Sequence, residues 1–311
     1  MTRRTFVSLA SSAAILAGCN RSSTKLRLAL NWKPDPEFGG FYAAPYRKNG
    51  LEVEILPGGA GTPTVQMIGA GSVEFGIVSG DELLLARARG NDVVALFATF
   101  QNCPQCIMVH SSRHLETIAD LMNSGGTLAI QSGLPYARIL ETKYGFKHMK
   151  VVPSPGGDVS AFVHDEMFAQ QCFVMDEPLT ARAQGVGVQV FPVSDIGYNP
   201  YTTVLAVSGE MLKQNPDRAK ALVAAVRDGW WDYLANPSPT NQTMHALNPS
   251  MDAQTFADVA VAEKPYIEIG EAGKAALGTM TKDRWQTLAQ QLREVGDIPD
   301  ASVAGGCFEL F

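Results

Sequence analysis

Short apolar runs recur between Leu26 and about Val193, and the stretches separating them carry their apolar residues at helical spacing. Leu26–Leu30 reads as a first strand, followed by a helix over Phe38–Lys48 that Gly50 closes and a strand over Leu51–Leu56. Thr62-Pro63 supplies an N-cap and a first-turn proline for a helix through Ile68, and Val73–Val78 is the next strand. Val93–Thr99 and Ile107–His110 are strands on either side of a Cys103-Pro104-Gln105-Cys106 turn. The alternation continues with helix His114–Met122, strand Thr127–Gln131, helix Leu134–Tyr144, strand Lys150–Val152 and helix Asp158–Phe168. Thr202–Val207 reads as a strand returning to the first sheet. From Pro216 the pattern turns helical: Ala219, Leu222, Val223, Val226, Trp230 and Tyr233 share one face of Pro216–Ala235, and Thr281–Val295 repeats the theme around Trp285 and Leu288. These last helices read as outer packing, with no chemistry expected in them.

One segment is built twice. Asp81-Glu-Leu-Leu-Leu-Ala-Arg-Ala-Arg-Gly90 returns as Asp176-Glu-Pro-Leu-Thr-Ala-Arg-Ala-Gln-Gly185, each after an apolar run, Phe75–Val78 and Cys172–Met175. A strand ending in an acidic turn that opens a helix therefore occurs in two places. The pattern predicts an α/β chain of two similar lobes facing each other across a ligand crevice. Lobe one is expected over 25–110 and 196–311, lobe two over 111–195, with the crossings near His110–Arg113 and Val193–Tyr201. Two crossings make a hinge, and hinged lobes close on ligands.

Residues 1–18 read as a signal peptide and 19–24 as a tether. Arg3 and Arg4 give a positive start, Phe6–Ala17 is too short to span a bilayer, and Leu16-Ala17-Gly18-Cys19 ends in a cysteine. That ending resembles a lipobox, which implies acylation of Cys19 and a membrane contact through the lipid. Thr2-Arg3-Arg4-Thr5-Phe6-Val7 resembles a twin-arginine signal, and an ordinary secretory leader remains the alternative. The expected location is the cell envelope, periplasmic or on the outer face of the cytoplasmic membrane. Losing the leader leaves 23 of the 25 Lys and Arg residues against 31 Asp and Glu, a net of −8. No nucleic-acid partner is expected of such a chain, which would need a basic face. About 290 mature residues exceed a usual single core, consistent with two domains, and a monomer is expected.

In an open α/β sheet the ligand sits beyond the carboxyl ends of the strands, so the turns hold the candidates. After strand one comes Asn31-Trp32-Lys33-Pro34-Asp35-Pro36-Glu37-Phe38-Gly39-Gly40-Phe41-Tyr42. The Trp32 indole offers a flat face to an aromatic ring, or fills the core at the strand end. Phe38 and Tyr42 are four apart and share a helix face, core or cleft. The repeated turns contribute Ser79, Asp81 and Glu177. Their carboxylates accept hydrogen bonds from amino groups and repel oxyanions, although Asp81 and Asp176 also suit helix capping. Gln101 follows a strand end beside the cysteine pair. In lobe two, Ser132-Gly133 with Tyr136, and Gly156-Gly157-Asp158, open helices whose free N–H groups suit an anionic tail.

Asn31-Trp32-x-Pro34-x-Pro36-x-x-x-Gly40-Phe41-Tyr42-Ala43-Ala44 resembles the opening signature of the SsuA/THI5-like (NMT1-like) type II periplasmic solute-binding proteins. It is similar above all to the thiamine-pyrimidine-precursor and riboflavin-linked members. Gly69-x-Gly71-x-Val73-x-Phe75-Gly76-Ile77 and Glu177-Pro178 fit the later landmarks. The resemblance implies the type II binding-protein fold, a small-molecule solute and an ABC transporter permease as partners, and ligand contacts at Asn31, Trp32, Tyr42 and Glu177. Pro45-Tyr46-Arg47-Lys48-Asn49-Gly50 departs from the Gly-Tyr-Phe-type segment of many relatives, so the ligand is not transferred with the fold. An aminopyrimidine is expected, with riboflavin, nitrate, taurine or an aliphatic sulfonate as alternatives.

No catalytic residue, cofactor or metal is expected. Cys103, Cys106, Cys172 and Cys307 permit three disulfide pairings, and a single Cys-x-x-Cys with His110 is weak grounds for zinc. The rival from another class is a THI5-like pyrimidine synthase, which resembles this chain but uses a lysine and a histidine in the first lobe. Gly58–Ala70 contains neither. The histidines at 110, 114, 148, 164 and 245 are scattered and pair with no nucleophile motif.

Overall fold

The computed structural model describes residues 25–131, 133–268 and 277–311. The expected signal peptide, the lipidated Cys19 and the tether lie outside the described residues. Two five-stranded sheets are built. The first holds β1 (Leu26–Ala29), β2 (Val53–Leu56), β3 (Phe75–Val78), β4 (Val93–Phe100) and the late strand β10 (Thr202–Ser208), in the order β2-β1-β3-β10-β4. The second holds β5 (Gln105–His110), β6 (Gly126–Ala129), β7 (Met149–Val152), β8 (Phe168–Phe173) and β9 (Val188–Pro192), in the order β7-β6-β8-β5-β9. In each sheet three strands run parallel, and a fourth, β10 or β5, pairs antiparallel with the central one. The two sheets therefore share one plan, with β3 and β8 as equivalent centres.

The helices are α1 (Gly39–Ala43), α2 (Thr64–Gly69), α3 (Gly80–Ala88), α4 (Ile118–Asn123), α5 (Pro135–Tyr144), α6 (Ser160–His164), α7 (Glu177–Ala183), α8 (Gly209–Gln214), α9 (Pro216–Ala235), α10 (Ser238–Leu247), α11 (Ala253–Ala262), α12 (Lys264–Ile267) and α13 (Lys282–Glu294). Three expected helices are shorter than their pattern. His114–Met122 begins only at Ile118, where Thr117 caps it in a box with Asp120, because His114 takes a left-handed φ of 48°. Phe38–Lys48 breaks at Ala44, whose extended ψ of 129° is the conformation a following proline imposes, and resumes as a 3-10 turn over Tyr46–Asn49. Asp158–Phe168 stops at His164, because the Asp165 carboxylate accepts from the Met167 N–H at 2.9 Å and turns the chain into β8.

The glycine pair of the opening motif is a packing device. A Cβ on Gly39 would lie 2.2 Å from the Tyr233 ring, and one on Gly40 would lie 2.1 Å from the Trp230 ring. Bare backbone there lets α9 settle against α1, with Trp230 edge-on to both Phe41 and Tyr233. Trp230 and Tyr233 are buried in that core, so truncating either costs about 3–5 kcal/mol.

The strand at the Cys-x-x-Cys turn corrects the expected boundary. Gln105–His110 pairs with β8 and β9, so the chain leaves the first sheet between Phe100 and Gln105 rather than near His110–Arg113. It returns between Pro192 and Thr202. The two connections are tied together. Cys103 N–H donates to Asn199 Oδ1 at 2.8 Å, and Arg284 of α13 donates to Gln101 O, Asn199 O, Asn199 Oδ1 and Pro200 O while its guanidinium lies 3.9 Å over the Tyr201 ring.

All four described cysteines are free thiols and buried. Cys106 and Cys172 face each other across β5 and β8 with their sulfurs 3.2 Å apart, so the Cys106 thiol turns toward Cys172 rather than joining Cys103 in a shared site.

Candidate functional site

A cavity of about 430 Å³ opens between the two sheets, beyond the carboxyl ends of their strands. Its walls come from the opening loop after β1, from the turns after β3 and β8, and from the Ser154–Gly157 turn after β7. Trp32 bridges the halves: a Cβ on Gly156, which has a φ of +67°, would sit 3.6 Å from the edge of the Trp32 ring. The indole of the first half thus reaches a bare backbone turn of the second.

The two acidic turns behave differently. At the first, Ser79 caps α3 in a reciprocal capping box with Glu82, and its hydroxyl also donates to Asp81. Asp81 is buried, and its other oxygen accepts from the Tyr198 hydroxyl at 2.6 Å. At the second, Asp176 occupies the cap position of α7 but makes no capping bond. Glu177 accepts from the Phe173 N–H at 2.9 Å, and both carboxylates line the cavity.

The site is acidic throughout. Asp35 accepts from the Glu37 N–H at 3.1 Å, and Glu37 accepts from the Thr203 hydroxyl at 3.1 Å. Thr203 holds a φ of 51° within β10, a left-handed conformation costly for a β-branched residue, and it directs this donor. Burial raises the Glu37 and Glu177 carboxyls to about 8 and Asp176 to about 6. Burial first, then the negative charge of Glu37, Asp176 and Glu263, holds Asp35 well above the usual carboxylate range. Glu263, between α11 and α12, is pushed well up by burial and by Glu37. Among the described residues, no lysine, arginine or histidine lines the cavity.

Of the residues selected from sequence, Asn31, Trp32, Ser79, Tyr136, Gly156 and Glu177 line this cavity. The others do not. Phe38 is fully buried in the first core, and Tyr42 packs against that core with its hydroxyl buried and unpartnered. Asp81 is turned to Tyr198, and the Gln101 amide donates to Ala98 O and Thr279 O. Gly133 and Asp158 are exposed and off the wall, Asp158 being taken up by the Ser160 N–H and hydroxyl. Ser132 lies outside the described residues. The start of α5 stands at the wall through Leu134 and Tyr136, with a proline in place of one of its free N–H groups.

Several wall residues escaped sequence reasoning. Asp35 and Glu37 sit inside the opening motif, and their signal was two acids alternating with the turn-forming Pro34 and Pro36 after a strand. Gln171 stands just ahead of the apolar run Cys172–Met175, outside every element the pattern predicts; it accepts from the Tyr136 hydroxyl at 3.2 Å and from the Gln131 N–H. Glu263 and Val259 bring the C-terminal helices, expected only as outer packing, into the cavity wall. No local pattern marked Glu263.

The family model described as "NMT1/THI5 like" matches residues 35–240. The chain is 28% identical over 246 residues to the riboflavin-binding protein RibY of Chloroflexus aurantiacus, covering 73% of this chain and 68% of the relative. It is 22% identical over 240 residues to the 4-amino-5-hydroxymethyl-2-methylpyrimidine phosphate synthase of Schizosaccharomyces pombe, covering 70% and 68%. Among solved structures, the alkanesulfonate-binding protein SsuA of Xanthomonas axonopodis pv. citri, bound to MOPS, superposes with a TM-score of 0.67 at 13% identity over 92% of this chain and 98% of that one. The two-sheet architecture with a cleft between its halves is the periplasmic binding-protein fold.

Proposed function

Because this chain belongs to the NMT1/THI5-like family, we propose that it is an extracytoplasmic solute-binding lipoprotein that closes on a small heteroaromatic solute and delivers it to an ABC transporter permease. In this reading Cys19 carries the lipid, the chain acts as a monomer, and no catalysis occurs. The lobe of β1–β4, β10 and the C-terminal helices closes against the lobe of β5–β9.

One observation carries the reading: Trp32 of the first half and Glu177 of the second border the same cavity. An indole at the mouth of a closed hollow supplies a stacking face, and carboxyls opposite it fix a polar edge. A thiamine pyrimidine precursor suits this wall, since the two N–H bonds of its ring amine can be taken by Glu177 and by the Asn31 carbonyl oxygen, which has no partner among the described residues. Nitrate, taurine and sulfonates do not suit it, because their oxygens would meet carboxyls and no cation. Riboflavin is the second reading, favoured by the similarity to a riboflavin-binding relative. With burial holding Glu37 and Glu177 near 8, their protonated forms donate to flavin carbonyls.

The synthase reading finds little support in the wall. No lysine or histidine borders the cavity among the described residues, and the Cys172 thiol is pushed up by burial, the opposite of an activated nucleophile. The test is a thermal-shift and calorimetric screen of the chain from Asn20 against pyrimidines, flavins, nitrate and sulfonates, alongside Trp32→Ala. A binder raises the melting temperature, and the variant loses about 10- to 100-fold in affinity for it with the fold intact. Unchanged affinity removes Trp32 from the site, and turnover of the solute favours the synthase.

A further inference from the structure

Among the described residues, Glu263 is a buried carboxyl with both oxygens unpartnered. It has no solvent exposure, yet the residue stands in the cavity wall. It stands at the junction where α11 ends and α12 begins. Facing it are Asp35 and Glu37 from the opening loop, and Asp176 and Glu177 from the second lobe complete the ring. Glu82, held by Ser79, borders the same hollow. The basic groups nearby are committed elsewhere: Lys264 pairs with Glu268 at 3.8 Å, and Arg284 is spent on the carbonyls of the crossings.

We propose that the solute of this cavity is an organic cation, an aromatic heterocycle bearing a protonated amine or amidine, whose charge is received by Glu263 and the carboxyls of Glu37 and Glu177. The proposal rests on the heteroaromatic-binding reading above and narrows it. A buried carboxylate without a partner is costly, so a cavity offering several of them and no counter-charge is matched by a ligand that brings one. In the empty site the carboxyls hold their protons, consistent with burial raising Glu37 and Glu177 to about 8. A cation entering displaces those protons to the solvent and pairs with the carboxylates left behind. Trp32, at the mouth, adds the attraction of an indole face for a positively charged ring.

The experiment uses two pyrimidines that differ in one group, 4-amino-5-hydroxymethyl-2-methylpyrimidine and its 5-aminomethyl counterpart, an ammonium at neutral pH, with riboflavin as a third probe. Titration calorimetry in buffers of different ionisation enthalpy counts protons as well as affinity. The ammonium is expected to bind about 10- to 100-fold more tightly than the alcohol. It releases protons on binding where the alcohol releases none. Glu263→Gln narrows the ratio between the two affinities and lowers the number of protons released by the ammonium, and the proton count on the unmutated chain decides the matter if that variant fails to fold. Equal affinities, a preference for the alcohol, or binding of riboflavin alone overturns the cation proposal and leaves the heteroaromatic reading standing. Silence of all three probes removes both.

Discussion

The two acidic elbows carry nearly the same ten residues and do different work. In the first, the helix starts at Gly80, so Asp81 and Glu82 fall inside its first turn, where Ser79 and Tyr198 occupy them. In the second, Met175 stands where Gly80 would be, and the helix starts two motif positions later, at Glu177. Asp176 becomes a cap that caps nothing, and Glu177 turns to the cavity. A shared motif thus specifies a strand-to-helix corner, while the residues just before it decide whether its carboxyls are spent on the corner or left for a ligand.

The comparison breaks first at the second elbow. Glu177→Gln keeps an acceptor for the Phe173 N–H but cannot ionise, and it is expected to weaken solute binding by about 100-fold with little change in melting temperature. Asp81→Ala tests the first elbow in the opposite sense. It strands the buried Tyr198 hydroxyl and is expected to cost about 1–3 kcal/mol in chemical denaturation, with solute affinity retained. A loss of affinity comparable to that of Glu177→Gln would put Asp81 in the site beside Ser79 and Glu82.

The smallest effect is on pH dependence. Glu37, Asp176 and Glu177 all titrate higher in the folded chain than their ordinary 4.5, 3.8 and 4.5. The stability they contribute is therefore complete below about pH 4 and is lost as pH rises through about 6 for Asp176 and about 8 for the two glutamates. The melting temperature of the ligand-free protein is expected to fall by a few degrees between mildly acidic and alkaline buffer, and Glu177→Gln flattens part of that slope. A melting temperature that climbs over this range contradicts the buried-acid account of the second elbow.

Much of this was readable in the chain. Strand and helix alternation, the repeat at Asp81 and Asp176, and the return near Thr202 led to two α/β lobes, because each is a local periodic signal. The opening motif led to Asn31 and Trp32. It misled at Phe38 and Tyr42, since spacing fixes a shared face and leaves open which neighbour that face meets. The first crossing was misplaced because a strand's sheet is chosen by distant partners, Gln170–Phe173 and Val188–Pro192, which the sequence around Cys106 does not announce. Glu263 was beyond reach for the same reason. Its role depends on a fold that brings residue 263 beside residue 37, and a lone glutamate at a helix end is an ordinary surface pattern until that happens.

Arg284 gives the clamshell its mechanics. One guanidinium grips carbonyl oxygens on both connecting strands at once, so bending either strand alone would strip those oxygens of their donors, whereas turning the pair together leaves every grip in place. In the closure proposed above, the two straps would turn as one axle, so a solute in the hollow would set a single angle between the halves for a docking surface elsewhere on the molecule to read.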